Sequence, residues 1–573
     1  MKSINSIIFS VIIALVFTGC KSVKKVVSQP TFEALVTVQA KKTDLSEEEM
    51  KTWSHADLEK DSIVGMSLDK AYEFLKEKKG APIIVAIADS GVDVEHEDLK
   101  DVLWINADEI EGNNKDDDNN GYVDDMYGWN FLGNAAGKIV NTDQLEITRI
   151  VKRGNTKFEG KKASEIAEED KNEFQLFLKL ESEYKATISE KNYEIQQMEE
   201  TIENLKRVKE NFEAVKKLAQ TDTLTVAVLE KLNPPTLTGI MQVQNVQNIL
   251  QQGMNEVDLL DYYGQVEAYT KEIKKAVKGY DLDMNFRQSL GDDLYDISDK
   301  FYGNNNVIGS KDAEKHGTHV AGIVAANRNN NIGAEGVANN VKIMTVRVVP
   351  DGDEHDKDVA LGIMYAVDNG AKIINTSFGK RFSPNKKWVY DALKHAASKD
   401  VLIVNAAGND GKNIDVRKSY PTDSDDLVNE FVDNVITIGA SSLFYNKNLP
   451  ANFSNYGKIN VDVFAPGVNI YSTVPKDEYE PLSGTSMAAP STAGVAALIR
   501  SYYPSLSAKE VKYILMKSGV KINFDVLKPG SQSEENPKGE MVPFSELSVS
   551  GRVVNAYNAL RLAAYLSNKK TSI

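Results

Sequence analysis

Five short apolar runs with almost no interruption recur along this chain: Ile83-Ile84-Val85-Ala86-Ile87-Ala88, then Lys342 to Val349, Lys372 to Asn375, Val401 to Asn405 and Val435 to Ile438. A strand that alternates polar and apolar residues can leave one face in water, whereas a continuous apolar run needs cover on both faces. Helical patterns lie between the runs, so the chain reads as an α/β fold with a doubly wound, mostly parallel sheet. In such a sheet functional groups collect at the carboxyl ends of the strands.

The stretch from 145 to 285 breaks this rhythm. It is rich in Glu, Lys and Gln, and Ile188, Ile195 and Ile202 fall seven apart, as do Met198, Leu205 and Phe212. That spacing draws a stripe along one long helix. Pro234-Pro235 breaks the chain, and a return helix is predicted between Val257 and Val277, which makes an inserted long helical hairpin. A solvated spacer and a lid, docking arm or self-associating coiled-coil surface are equally compatible with it.

Composition narrows the partners. Across 573 residues Asp+Glu number 83 against 67 Lys+Arg, a net charge of -16, which disfavours nucleic acid as a ligand because phosphate binding draws on surplus cations. Cys20 is the single cysteine, so no internal disulfide can form. Lys2, the apolar run Ile7 to Phe17 and the ending Thr18-Gly19-Cys20 form a targeting segment too short to span a bilayer. It resembles a bacterial lipoprotein signal, with an ordinary secretory signal and an incidental cysteine as the alternative. The resemblance implies lipidation of Cys20. Acyl chains contribute about 0.8 kcal/mol per buried methylene, so two or more would tether the protein to a membrane. The following Lys21-Ser22-Val23-Lys24-Lys25 is basic and lacks the acidic cluster that resembles a surface-export signal in some Bacteroidetes lipoproteins, and that resemblance implies a periplasm-facing place in the bacterial cell envelope.

The chemistry-bearing residues fall in four short segments. Ser483-Gly484-Thr485-Ser486-Met487-Ala488-Ala489-Pro490 sets a serine at the N-terminal end of an apolar helix, where free backbone N–H groups can bind an oxyanion. Pro490 is expected in the first helical turn, where its missing amide hydrogen would be unpaired anyway. A serine hydroxyl needs a base, and His316-Gly317-Thr318-His319-Val320-Ala321-Gly322 supplies His316. His319 reads as a packed core residue. A His-x-x-His zinc pair lacks a third ligand at suitable spacing. An imidazole acting as base needs an orienting carboxylate, and Asp89-Ser90-Gly91 follows the first strand. His96, so near Asp89 in sequence, is read as a surface residue. Asn405-Ala406-Ala407-Gly408-Asn409 follows another buried run and offers the Asn409 amide to an oxyanion.

Taken alone, each segment has a plainer reading as a helix cap or an Asx turn. Together, in the order Asp, His, Ser, they resemble the subtilase family over about residues 80 to 135 and 300 to 520. The resemblance implies a subtilisin-like fold and a serine endopeptidase working through an acyl-enzyme. In that reading Asp89 orients, His316 is general base and then acid, Ser486 attacks, and Asn409 stabilises the oxyanion. It also implies that a peptide lies as an added strand against Ser377, Phe378 and Gly379, with Ala406, Ala407 and Gly408 completing the first specificity pocket. Those small walls predict broad specificity with an apolar P1 preference, and protein or peptide substrates are the expected partners. A catalytically dead binding protein, or a lipoprotein whose helical arm does the work, are the rival readings.

A hard-oxygen segment, Asn113 to Asp125, predicts structural Ca²⁺, with a solvated acidic turn as the alternative, since Asp116, Asp118, Asn120, Tyr122 (through its carbonyl) and Asp124 follow EF-hand spacing. Position twelve is Tyr127 where Glu would be usual. No organic cofactor is expected. The predicted organisation is a signal at 1–20, an N-terminal linker or short pro-segment at 21–60, catalytic parts at 61–144 and 286–573, and the insertion at 145–285.

Overall fold

A computed structural model describes residues 29–32, 45–312 and 314–570. Cys20 and the lipidation expected there lie outside the described residues. Among the described residues no helix is long and apolar enough to cross a membrane.

Seven strands carry the fold: β1 (Ile83–Asp89), β2 (Gly128–Asn130), β3 (Val341–Arg347), β4 (Ile373–Thr376), β5 (Leu402–Ala406), β6 (Val435–Ser441) and β7 (Val463–Pro466). They lie side by side as β7-β6-β5-β4-β1-β3-β2, and every neighbouring pair is parallel. Two short C-terminal strands, Arg552–Val553 and Val520–Lys521, extend the sheet beyond β7. β1 is where the winding reverses, with β3 on one flank and β4 on the other.

The five predicted runs are β1, β3, β4, β5 and β6, and their double-sided burial is visible residue by residue. Val85 and Ile87 face one core, with the helices Leu68–Leu75, His316–Ala325 and Thr485–Tyr502. Ala86 and Ala88 face the other, under the helices Asp356–Asp368 and Lys386–Ser398. Period-2 alternation thus persists although both faces are apolar. The segment read as a linker at 21–60 is packed from Trp53 onward: Trp53, only 1% exposed, belongs to the first core and Leu58 to a further apolar core.

The insertion is a helical arm. Its long helix, Lys171–Ala219, runs 49 residues, roughly 70 Å at 1.5 Å per residue. The chain returns through Leu237–Gln251 and Glu256–Lys278, and the Pro-Pro pair falls in the turn before them. One small core sits at the base, around Ile150, Phe158, Phe174 and Phe177, and another at the tip, around Phe212, Val215 and Val246. Between them the stripe residues Ile188, Ile195 and Ile202 are half-buried. The Gly279 carbonyl accepts from both Leu145 N (2.9 Å) and Thr148 Oγ1 (2.8 Å), so entry and exit of the arm meet at one neck.

Candidate active site

β1 ends on Asp89 and β4 ends on Thr376, whose neighbour in register is Ala88. Residues 89 and 377 therefore stand about one strand spacing apart, roughly 4.8 Å. The two halves of the site grow from these adjoining ends.

The first half is an acid–imidazole couple. The Asp89 carboxylate is 1% exposed and its Oδ1 lies 2.7 Å from His316 Nδ1, while the same oxygen accepts from Ser90 N. Burial opposes the charged imidazolium, but the charge and hydrogen bond of Asp89 outweigh it, so the His316 pKa is raised above 6.5. A hydrogen bond at Nδ1 directs Nε2 as the proton-accepting nitrogen. Gly317 lets the helix carrying His316 close on this turn: a Cβ there would lie 2.2 Å from the Gly91 carbonyl oxygen.

Residues without a sequence signal hold the couple. Arg347, the register partner of Asp89 in β3, is 0% exposed. It donates to the Ser90 carbonyl (2.7 Å), Asn130 Oδ1 (3.1 Å) and Glu314 Oε1 (2.9 Å), which fixes the turn after β1 from beneath. An arginine inside a predicted strand looks like a disruption. Only the topology shows the carboxylate and carbonyls that meet it.

The second half is built on the helix Thr485–Tyr502, sixteen residues of which are buried. That helix starts at Thr485, so Pro490 falls in its second turn rather than its first, and its missing N–H leaves the Ser486 carbonyl without an intrahelical donor. Ser377 Oγ donates to that carbonyl at 2.8 Å, and Ser486 Oγ donates in turn to the Ser377 carbonyl at 3.1 Å. Asn409 Oδ1 accepts from Thr485 N (2.8 Å) and Thr485 Oγ1 (2.9 Å). Its Nδ2 is thereby turned toward Gly484: a Cβ on Gly484 would lie 3.5 Å from both Asn409 Nδ2 and Ser486 N. Two donors thus flank Gly484 at the start of the helix that carries Ser486.

A cavity of about 400 Å³ opens at Ser486 and Asn409. Of the predicted pocket walls, Phe378, Gly379, Ala406 and Gly408 line it. Ser377 and Ala407 do not. Ser377 supports Ser486 from below, and Ala407 is 1% exposed in a separate apolar core. Gly408 has φ +100, and a Cβ there would approach Asn455 Nδ2 to 2.4 Å.

Two other histidines differ in outcome. His319 is 0% exposed, its Nε2 lies 3.0 Å from the Glu480 carbonyl, and burial pushes its pKa down to about 3, so it is the neutral core residue expected. His96 is also 0% exposed, against its reading as a surface residue. The hairpin 470–482 folds over it, placing its Nε2 3.2 Å from the Glu478 carbonyl and its ring edge-on to Tyr479.

The acidic segment also departs from its predicted geometry. Asp116 spends its carboxylate on Asn120 N and Gly121 N, and Asp124 on Asn113 N and Asn114 N, so both act as turn caps. Asn120 Oδ1 accepts from Tyr122 N in the same way. Among the described residues the carboxylates that converge within 4.8 Å are Glu109, Asp118 and Asp125, of which Glu109 and Asp118 also accept backbone N–H groups of the loop. Linear spacing missed Glu109 and Asp125 because an EF-hand register does not apply to a loop closed by its own caps.

An Asp–His couple and a serine at a helix N-terminus, in the chain order Asp, His, Ser, thus stand at adjoining strand ends of a doubly wound parallel sheet. The family model described as "Subtilase family" matches residues 182–541, which include His316, Asn409 and Ser486, while Asp89 lies before its start. This chain belongs to the subtilase family. Similar proteins include the cell wall-associated protease of Bacillus subtilis (strain 168), 37% identical over 248 residues, or 43% of this chain and 26% of that protein. The thermophilic serine proteinase of Bacillus sp. (strain AK1) is 41% identical over 33% of this chain and 43% of its own length. Subtilisin DY of Bacillus licheniformis is 41% identical over 35% of this chain and 69% of its own length. The chain therefore spans about a quarter of the first of these relatives and under half of the second.

Proposed function

We propose that the protein is a serine endopeptidase in which Ser486 attacks a peptide carbonyl while His316 takes its proton. The observation that carries this reading is the 2.7 Å contact between Asp89 and His316, one strand spacing from the segment that holds Ser486. For this step the Ser486 hydroxyl must exchange the Ser377 carbonyl, to which it donates, for the imidazole. His316 Nε2 accepts the hydroxyl proton, and Asp89 steadies the resulting imidazolium through Nδ1–H. The tetrahedral oxyanion takes hydrogen bonds from Asn409 Nδ2 and Ser486 N. His316 then returns its proton to the leaving amine, and water releases the acyl group by the same route in reverse. Phe378, Gly379, Ala406 and Gly408 favour broad specificity with an apolar P1 side chain. Fluorophosphonate labelling of the protein beside Ser486→Ala tests the reading, and an unlabelled wild-type serine with no peptide hydrolysis would end it.

A structural Ca²⁺ at Glu109, Asp118 and Asp125 belongs to the same proposal. Burial raises the Asp125 pKa to about 6 and raises that of Glu109, so three gathered carboxylates are a site whose repulsion a hard divalent cation offsets. The ion would hold this loop and through it stabilise the native fold. Membrane attachment through Cys20 is also proposed, and mass spectrometry of the mature N-terminus showing an unmodified thiol would remove it.

A further inference from the structure

We propose that the base of the helical arm closes the acyl-side end of the cleft, so that the protein cuts bonds lying only a few residues from the N-terminus of a peptide. This rests on the serine peptidase reading above and replaces its endopeptidase part with release of short N-terminal peptides. β1 stops at Asp89, and beyond the ends of its neighbours β3 and β4 a crevice is lined by Asp353 on one bank and by Phe378, Gly379 and Lys380 on the other. A substrate strand whose first residue sits beside Ala406 and Gly408 extends along Phe378 and Gly379 toward Lys380, into that crevice.

The arm already fills it. Arg149 donates to the Asp353 carbonyl (2.8 Å) and the Glu354 carbonyl (3.0 Å), groups that an incoming strand would use, and Lys380 donates to the Glu354 carbonyl from the opposite bank (2.7 Å). Glu146 joins the two, accepting from Lys380 Nζ (2.7 Å) and Arg149 (2.5 Å), while its own N–H donates to Asp353 Oδ2 (2.8 Å). The Lys380 and Glu146 side chains are 2% and 8% exposed, so this is a buried bar across the crevice. Farther out Arg381 pairs with Glu183, and Phe382 packs into the core at the arm's base beside Tyr280.

The cavity that begins at Ser486 accordingly ends on Leu145, Ile147 and Tyr280. At about 400 Å³ it lies toward the small end of ligand pockets, roughly 300–1,000 Å³. The base of the arm thus forms one wall of this pocket. Attachment alone does not account for the charges. Buried ion pairs add little net stability over apolar packing of similar volume, and what they fix is orientation.

The test uses the full chain and a peptide series with one scissile bond and one leaving side, in which the acyl side grows from a single residue to about eight. The expected kcat/KM peaks at short acyl lengths and falls by about tenfold or more beyond them. Glu146→Gln and, independently, Lys380→Met should flatten that fall by raising kcat/KM for the long peptides, with circular dichroism checking that each variant is folded. A kcat/KM that stays level or climbs with acyl length in the wild-type protein overturns the proposal. Fluorophosphonate labelling of the same preparation separates the two readings. Labelled Ser486 without the length break refutes the closed cleft alone, and unlabelled Ser486 with no cleavage refutes the peptidase reading and this one with it.

Discussion

Ser377 and Ser486 exchange two hydrogen bonds, hydroxyl to carbonyl in each direction, at 2.8 and 3.1 Å. One of the two is required by Pro490, which cannot supply the amide that would otherwise satisfy the Ser486 carbonyl. Replacing Ser377 by Ala leaves that buried carbonyl unpaired, at a cost of about 1–3 kcal/mol. The expected outcome is a lower denaturation midpoint together with a reduced kcat, measured on the same preparation. Unchanged stability would show that the helix start relaxes to find another donor.

Loss of the proposed nucleophile and loss of the oxyanion donor should separate in size. Ser486→Ala is expected to lower kcat by about 10⁶-fold, the scale for removing such a nucleophile. Asn409→Ala is expected to lower kcat by about 10²–10³-fold with KM little changed, because its amide acts on the transition state. Steady-state kinetics on one chromogenic peptide checks both.

The pH profile follows from the direction of the His316 shift. The imidazole must be neutral to accept a proton, so kcat/KM should rise with pH through a midpoint above 6.5. Asp89→Asn removes the charge that raises this pKa, so the midpoint should fall and kcat should drop by about 10⁴-fold. The linkage to folding has the opposite slope. A pKa raised on folding stabilises the native state fully below the unfolded value near 6.5, and that contribution is lost as pH climbs through the folded value.

Gly317→Ala should act through geometry alone. Its Cβ would meet the Gly91 carbonyl oxygen at 2.2 Å, so the His316 helix must retreat from the turn that carries Asp89. Overpacking of this kind costs about 1–3 kcal/mol. Thermal denaturation should show that loss, and kcat should fall although no proposed catalytic group has changed.

Calcium should raise the melting temperature. A ligand bound only by the native state at 100 times its Kd adds about 2.7 kcal/mol. Glu109→Gln and Asp118→Asn should abolish the rise, whereas Asp116→Asn, a turn cap, should lower stability with and without the ion. Titration calorimetry showing no uptake by the wild-type protein refutes the site.

Much of this was legible before any coordinates. Double-sided apolar runs identified five of the seven central strands, and of the three residues picked out by their order, Asp89 and His316 are in contact. β2 escaped because three residues, Gly128–Asn130, carry no periodicity. The supports of the site escaped for another reason. Arg347, Glu314 and the Glu146–Lys380 bar acquire meaning only through partners dozens to hundreds of positions away. His96 and the acidic loop failed on local reasoning, since a distant hairpin buries the first and short-range caps redirect the second.

The neck at Gly279 bears on how such a chain assembles. Asp89 and His316 are 227 positions apart, and bringing them together through an unstructured loop would carry a closure entropy that grows as the logarithm of its length. An arm whose helices pair first delivers its two ends one hydrogen bond apart. The rest of the molecule then meets a tight turn instead of a long tether, and the arm can gain or lose helical turns at its far end while that turn stays the same length.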